Sequence, residues 1–95
     1  MTRINVTEED IEWGVEEDAR NCALAIALER HVPEGIAVSV THQFANFINR
    51  AEGVTVAVHL PRRAMKFVKR YDEGSPVTPR GFNISLPEFA LQEAE

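Results

Sequence analysis

The sequence predicts an α+β fold: a two-layer domain in which a mainly antiparallel sheet carries two main helices on one face. Three observations predict it. Residues 21–32, NCALAIALERHV, form an alanine- and leucine-rich run that is best accommodated by a buried helix. Residues 36–60 alternate apolar and polar side chains in three short segments with brief connections, as an antiparallel meander does. Ala64, Phe67, Val68 and Tyr71 fall at i, i+3, i+4 and i+7, the apolar stripe of a helix lying on a sheet. The resulting order is β-α-β-β-β-α-β.

Each element follows from its residues. Residues 3–7 (RINVT) alternate around Ile4 and Val6 and read as a first strand. Thr7 is placed to cap a short helix over 8–13. With Asp10 three residues on it makes a capping box, and Glu8, Glu9 and Asp10 suit the positive end of the helix dipole. Gly14 stops this helix. Glu16, Glu17 and Asp18 lead into the central helix, Arg30 and His31 close it, and Pro33 breaks the chain. Few of the central positions are polar, so this helix must be covered on most sides.

Residues 36–41 (IAVSVT) turn Ile36, Val38 and Val40 inward. Residues 43–49 (QFANFIN) read either as a strand or as a helical turn. The strand is the expectation, with Phe44, Asn46 and Ile48 on one face and Ala45 and Phe47 on the other. After a turn at 51–53, residues 54–60 (VTVAVHL) alternate again. Pro61 occupies the first position of the second main helix, where a missing N–H costs nothing, and that helix runs to about Tyr71. A proline-bearing loop over 75–80 leads to a last strand at 81–86 (GFNISL), ended by Pro87. Residues 1–86 are thus expected to form one domain. Residues 87–95 make an acidic tail that either frays or forms a terminal turn anchored by Phe89 and Leu91.

The 95 residues suffice for one core without metal or disulfide staples. The single cysteine, Cys22, has no internal partner and sits in the central apolar run, which fits a reducing compartment and a packing role. No run approaches the roughly 20 apolar residues of a membrane span, and the first ten residues lack a hydrophobic signal core. A cytoplasmic protein without membrane association is expected.

Charge is the most suggestive feature. The net charge is -5, yet residues 1–18 hold seven acids against Arg3 alone, and residues 61–71 hold five bases and no acid. Such segregation creates opposed patches that steer partners. The candidate partner-binding residues are therefore a basic patch, Arg62, Arg63, Lys66, Lys69 and Arg70, and an acidic patch, Glu8, Glu9, Glu12, Glu16 and Glu17. Trp13, Phe44 and Phe47 are candidates for an exposed aromatic patch suited to docking or dimerisation.

Catalytic signatures are missing. The sequence has no P-loop, G-x-G-x-x-G, H-E-x-x-H or C-x-x-C, and His31, His42, His59 and Cys22 match no zinc spacing. No catalytic residue, metal site or cofactor is expected. The basic helix also admits a nucleic-acid reading, weakened by the negative net charge and by Phe67 and Tyr71 pointing to the core.

Four segments carry a resemblance: D-I-x-x-G at Asp10, Ile11 and Gly14; N-C-A-L-A-I-A-L at 21–28; L-P-x-x-A-x-x-F-V-x-x-Y-D-x-G at 60–74; and V-x-P-x-x-F-x-I-x-L at 77–86. In these the chain resembles small uncharacterised proteins encoded by bacteriophages and prophages. That pattern often has a second cysteine before the alanine-rich helix and a proline after Cys22, where this chain has Asn21 and Ala23. The resemblance implies a viral accessory protein acting in the host cytoplasm, and it brings no functional residue. Together these readings predict a non-catalytic accessory protein that binds a host or viral protein through a charged or aromatic surface, as an inhibitor of a host system or an adaptor. Nucleic-acid binding by residues 61–71 is the alternative, and the oligomeric state, monomer or homodimer, stays open.

Overall fold

The computed structural model describes residues 2–91 and has the α+β fold. In chain order the elements are β1 (Thr2–Val6), α1 (Glu8–Trp13), α2 (Ala23–Glu29), β2 (Ile36–Val40), β3 (Phe44–Asn49), β4 (Val54–His59), α3 (Arg62–Asp72), β5 (Arg80–Ile84) and a 3₁₀ turn (Glu88–Ala90). Residues 43–49, open between strand and helical turn from sequence, supply β3. The strands do not share one sheet. β1 and β5 pair as an antiparallel ribbon, with Ile4 opposite Phe82 and Thr2 opposite Ile84. β2, β3 and β4 form a separate antiparallel meander in which Val38, Phe47 and Val56 lie in one row, and Val40, Ala45 and Val58 in the next.

A loop, not a strand, lies at the outer edge of β2. The loop before α2 reaches that edge, where Val40 N–H donates to Ala19 O at 2.7 Å. β1 pairs with β5 and not with this edge. The core between the sheets is α2, where Ala23, Leu24, Ala25, Ala27 and Leu28 are all fully buried. The helix packs against α1, α3, β1 and β2. Its alanines let these neighbours approach closely, while Leu24 and Leu28 supply the apolar volume.

α2 is shorter than the 21–32 expected, for local reasons at both ends. Asp18 organises a turn, its carboxylate accepting from Arg20 N–H (3.0 Å), Asn21 N–H (3.2 Å) and Asn21 Nδ2 (3.1 Å), so Asn21 is claimed before the helix begins. The Asn21 side chain is the main reason the Asp18 carboxyl titrates below its ordinary range. At the other end Pro33 biases the preceding residue away from helical geometry, and the helix closes at Leu28 O, which accepts from Arg30 N–H and His31 N–H. In the C-terminal segment Ala90 is fully buried and Phe89 packs on the core, so core packing continues past Pro87. Leu91 is 47% exposed and is not an anchor. Residues 92–95 of the expected acidic tail lie outside the described residues.

One buried charge ties the N-terminal half together. Asp10 is the only charged side chain buried among the described residues. Its carboxylate accepts Thr7 N–H at 2.9 Å, while Asp10 N–H donates to Thr7 Oγ1 at 3.2 Å, completing the capping box of α1. The Arg30 guanidinium, just past α2, pairs with both carboxylate oxygens, Nη2 at 2.7 Å from Oδ2, and also donates to Asn5 O at 3.0 Å. Burial by itself would push the Asp10 carboxyl up. The bonds from Arg30 and from Thr7 outweigh it and hold the group below its ordinary range.

α1 then ends where it can pass under α3. A methyl group at Gly14 would collide with the Tyr71 hydroxyl and stand 2.8 Å from Ala23 N and Asp10 O. The Tyr71 hydroxyl donates to Ile11 O at 3.0 Å, so only glycine leaves room for this crossing.

Two predictions follow from this core. Asp10→Ala removes both cap and counter-charge and should cost about 2–3 kcal/mol in denaturant unfolding. Because the folded pKa of Asp10 lies below its ordinary 3.8, its stabilisation is complete above that pH and is lost as acid titrates the folded group. Arg30→Ala should accordingly move the acid-unfolding midpoint, read by circular dichroism, to higher pH. Cys22 is 3% exposed and burial pushes its thiol up. In the native protein it should react with a thiol reagent about 100-fold more slowly than in denaturant; a fast native reaction would contradict the packing role.

Candidate functional site

The basic patch sits on α3, whose buried stripe is Ala64, Phe67, Val68 and Tyr71. That stripe forces Arg62, Arg63, Lys66, Lys69 and Arg70 outward, and all five are exposed. Among the described residues the ion pairs are Arg30–Asp10 and His42–Asp72, so none of the five is neutralised by a carboxylate.

What the sequence did not reveal is the wall opposite this helix. Gly74, at φ +77°, lets the chain reverse, with Gly74 N–H bonded to Tyr71 O (3.1 Å) and Ser75 N–H to Arg70 O (2.9 Å). The returning loop runs beside α3 and delivers Arg80 at the start of β5. Between helix and loop lies a groove of about 280 Å³ lined by Lys66, Phe67, Arg70, Pro76, Val77, Thr78 and Arg80. Phe67 is 4% exposed and fixed edge-to-face against Phe82, with centroids 5.5 Å apart. The groove therefore has an apolar base, three cations around it and no acid.

Such a site has a definite chemistry. Cations next to low-dielectric apolar walls focus a positive potential, and an anionic group entering the groove replaces water with charge-assisted hydrogen bonds. Arg70 and Arg80 offer planar donors suited to carboxylates, and Lys66 adds a point charge. Arg80 was absent from the candidate residues because it lies ten residues beyond Arg70 and outside the helix. Its proximity depends on the reversal at Gly74.

The acidic residues are placed differently. Glu8, Glu9, Glu12, Glu16 and Glu17 are all exposed. The first two sit at the start of α1, where they complement its dipole. Glu16 and Glu17 pack near the end of α3: the Glu16 carboxylate lies over Gly74, and Glu17 N–H donates to Asp72 Oδ1 at 2.9 Å. Asp72 Oδ2 takes His42 Nε2 at 2.9 Å, tying the β2–β3 turn to α3. A second, shallower cavity of about 470 Å³ adjoins this contact, lined among others by Glu17, Thr41, His42 and Asp72. Among the described residues no cluster of three His, Cys, Asp or Glu side chains could hold a metal ion.

The aromatic patch does not assemble. Phe47 is fully buried in the meander, in the row of Val38 and Val56, and belongs to the hydrophobic core. Phe44 lies three residues away, hence on the opposite face of the sheet, half-buried and edge-to-face with His59 at 5.1 Å. Trp13 is 76% exposed at the end of α1, one helical turn after Glu9, with Val15 also exposed. Its indole thus belongs to the acidic surface rather than to the sheet.

No helix is long and apolar enough to cross a membrane among the described residues. Comparison with known proteins finds no matching family model, no matching curated relative and no matching solved structure, so the geometry of the groove carries the functional reading.

Proposed function

We propose that this chain is a non-catalytic accessory protein that captures an acidic segment of a partner protein in the groove between α3 and the loop before β5. The observation that carries this reading is the union of three unneutralised cations, Lys66, Arg70 and Arg80, with an apolar base at Phe67, Pro76 and Val77. A peptide with one apolar anchor flanked by Asp or Glu meets both demands. The anchor desolvates in the groove while the carboxylates take the bidentate guanidinium donors. The remaining α3 bases, Arg62, Arg63 and Lys69, extend the field and speed encounter. The resemblance to bacteriophage and prophage proteins supports a host or viral protein as partner, in the host cytoplasm, with inhibition by occupancy as the mode of action.

Nucleic acid is the second reading, favoured by the exposed bases of α3 with Arg80 beside them. It is weaker because Phe67 and Tyr71, at 4% and 6% exposure, offer no ring on which a base could stack.

Binding of a fluorescent Asp/Glu-rich peptide with a central Leu or Phe separates the readings. The double variant Arg70→Glu with Arg80→Glu should weaken it more than about tenfold. Reversal at Glu8, Glu9 and Glu12 should leave it unchanged. Equal binding by the Arg70/Arg80 variant would overturn the proposal. Tighter binding of an oligonucleotide than of the peptide, falling steeply with salt, would replace it with the second reading.

A further inference from the structure

The groove beside α3 suits an apolar anchor with carboxylates next to it, and the chain displays such a group on its own surface. Trp13, the single tryptophan, is 76% exposed at the end of α1, and Val15 just beyond it is 51% exposed. Tryptophan is among the side chains that most often anchor interfaces. Glu9 lies one helical turn before Trp13, and Glu8 and Glu12 form the adjoining row of the helix; all three are exposed. This indole cannot fill the groove of its own chain. The Asp10–Arg30 pair and the bond from the Tyr71 hydroxyl to Ile11 O, at 3.0 Å, fix α1 in place, and the groove lies on the far side of α3 from that contact.

We propose that the α1 surface of one copy docks in the α3 groove of a second copy, the Trp13 indole on the apolar base and the α1 glutamates against Lys66, Arg70 and Arg80. The inference rests on the groove reading above and names a second copy of this chain as a ligand of that groove. Charge complementarity selects it. Residues 1–18 hold seven acids against Arg3 alone, while the groove has three cations and no acid. The anchor is complementary too, because Phe67, Pro76 and Val77 give the indole an apolar floor and a guanidinium beside the ring adds a cation–π contact. The two surfaces differ, so the contact is heterologous, and a joined pair still presents one free groove and one free indole. The association is weak. A tryptophan buries about 150–250 Å², well short of the roughly 800 Å² per partner of a standard interface, and the net charge of -5 opposes approach. In dilute solution the groove is therefore open to peptide, and only at high concentration does a second copy take it.

Sedimentation velocity and tryptophan emission of the intact chain, over a wide concentration range, test the docking. As concentration rises the wild type should sediment faster, and its indole emission, which comes from Trp13 alone, should shift to the blue as the ring leaves water. Trp13→Ala, and separately Arg70→Glu with Arg80→Glu, alter exposed side chains. Each should raise the dissociation constant at least about tenfold with the circular dichroism spectrum unchanged. Mixed in equal amounts, these two variants should associate again as a dimer of one copy of each, since the first keeps the groove and the second keeps the indole. A wild type that stays monomeric at every concentration overturns the proposal. If that chain still binds the Asp/Glu-rich peptide, the groove reading stands and only the second copy falls; a chain that does neither loses both. Self-association indifferent to either variant, or a mixture that stays monomeric, overturns the proposal as well.

Discussion

The Asp10 carboxylate is the constraint on which the arrangement of this chain depends. A six-residue helix such as α1 has no independent stability, because nucleation costs more than so few hydrogen bonds return. It persists because Asp10 closes its first turn against Thr7 and because Arg30 fastens that turn to the end of α2 and to Asn5 of β1. Three elements distant in sequence thus share one buried charge. Asp10 lies at 3% exposure and would be costly without the guanidinium. The interaction is directional as well as stabilising, since the carboxylate accepts from α1's own cap and from the Arg30 guanidinium together.

The consequences propagate along the chain. With α1 fixed, Gly14 must cross beneath Tyr71 at a distance no side chain permits, and the loop that follows is led to the outer edge of β2. Ala19 O meets that edge at Val40 N–H, the meander runs on through β3 to β4, and the terminal strands pair with each other. The pairing of β1 with β5 then draws Arg80 alongside α3. The cationic groove thus lies on the far side of α3 from the contact between Tyr71 and α1 and does not touch Asp10.

Much of this could be read from the chain because the determining signals are local. The capping residues Thr7 and Asp10, the stop at Gly14, the alternation in IAVSVT and VTVAVH, and the stripe from Ala64 to Tyr71 each act within a few residues. The features that escaped are those made by the chain meeting itself. Arg30 reads as a helix-dipole partner until the fold brings Asp10, twenty residues away, to its guanidinium. Arg80 reads as a loop residue until Gly74 turns the chain back. One failure was avoidable: Phe44 and Phe47 are an odd number of residues apart in a strand, so period two already placed them on opposite faces and forbade a shared patch. Asp18 was counted with the acids leading into α2, yet its bonds to Arg20 and Asn21 shorten that helix.

The groove so produced combines two kinds of attraction that act over different ranges. The groove gathers charge without counter-charge, so its attraction extends over about the Debye length of 8 Å at physiological ionic strength and fades as salt is added. Its base of Phe67, Pro76 and Val77 acts only on contact, through release of water rather than a long-range field. Added salt therefore reaches the first component and leaves the second in place. The two are separable because α3 keeps Phe67 in its buried stripe while its five bases lie on the exposed side.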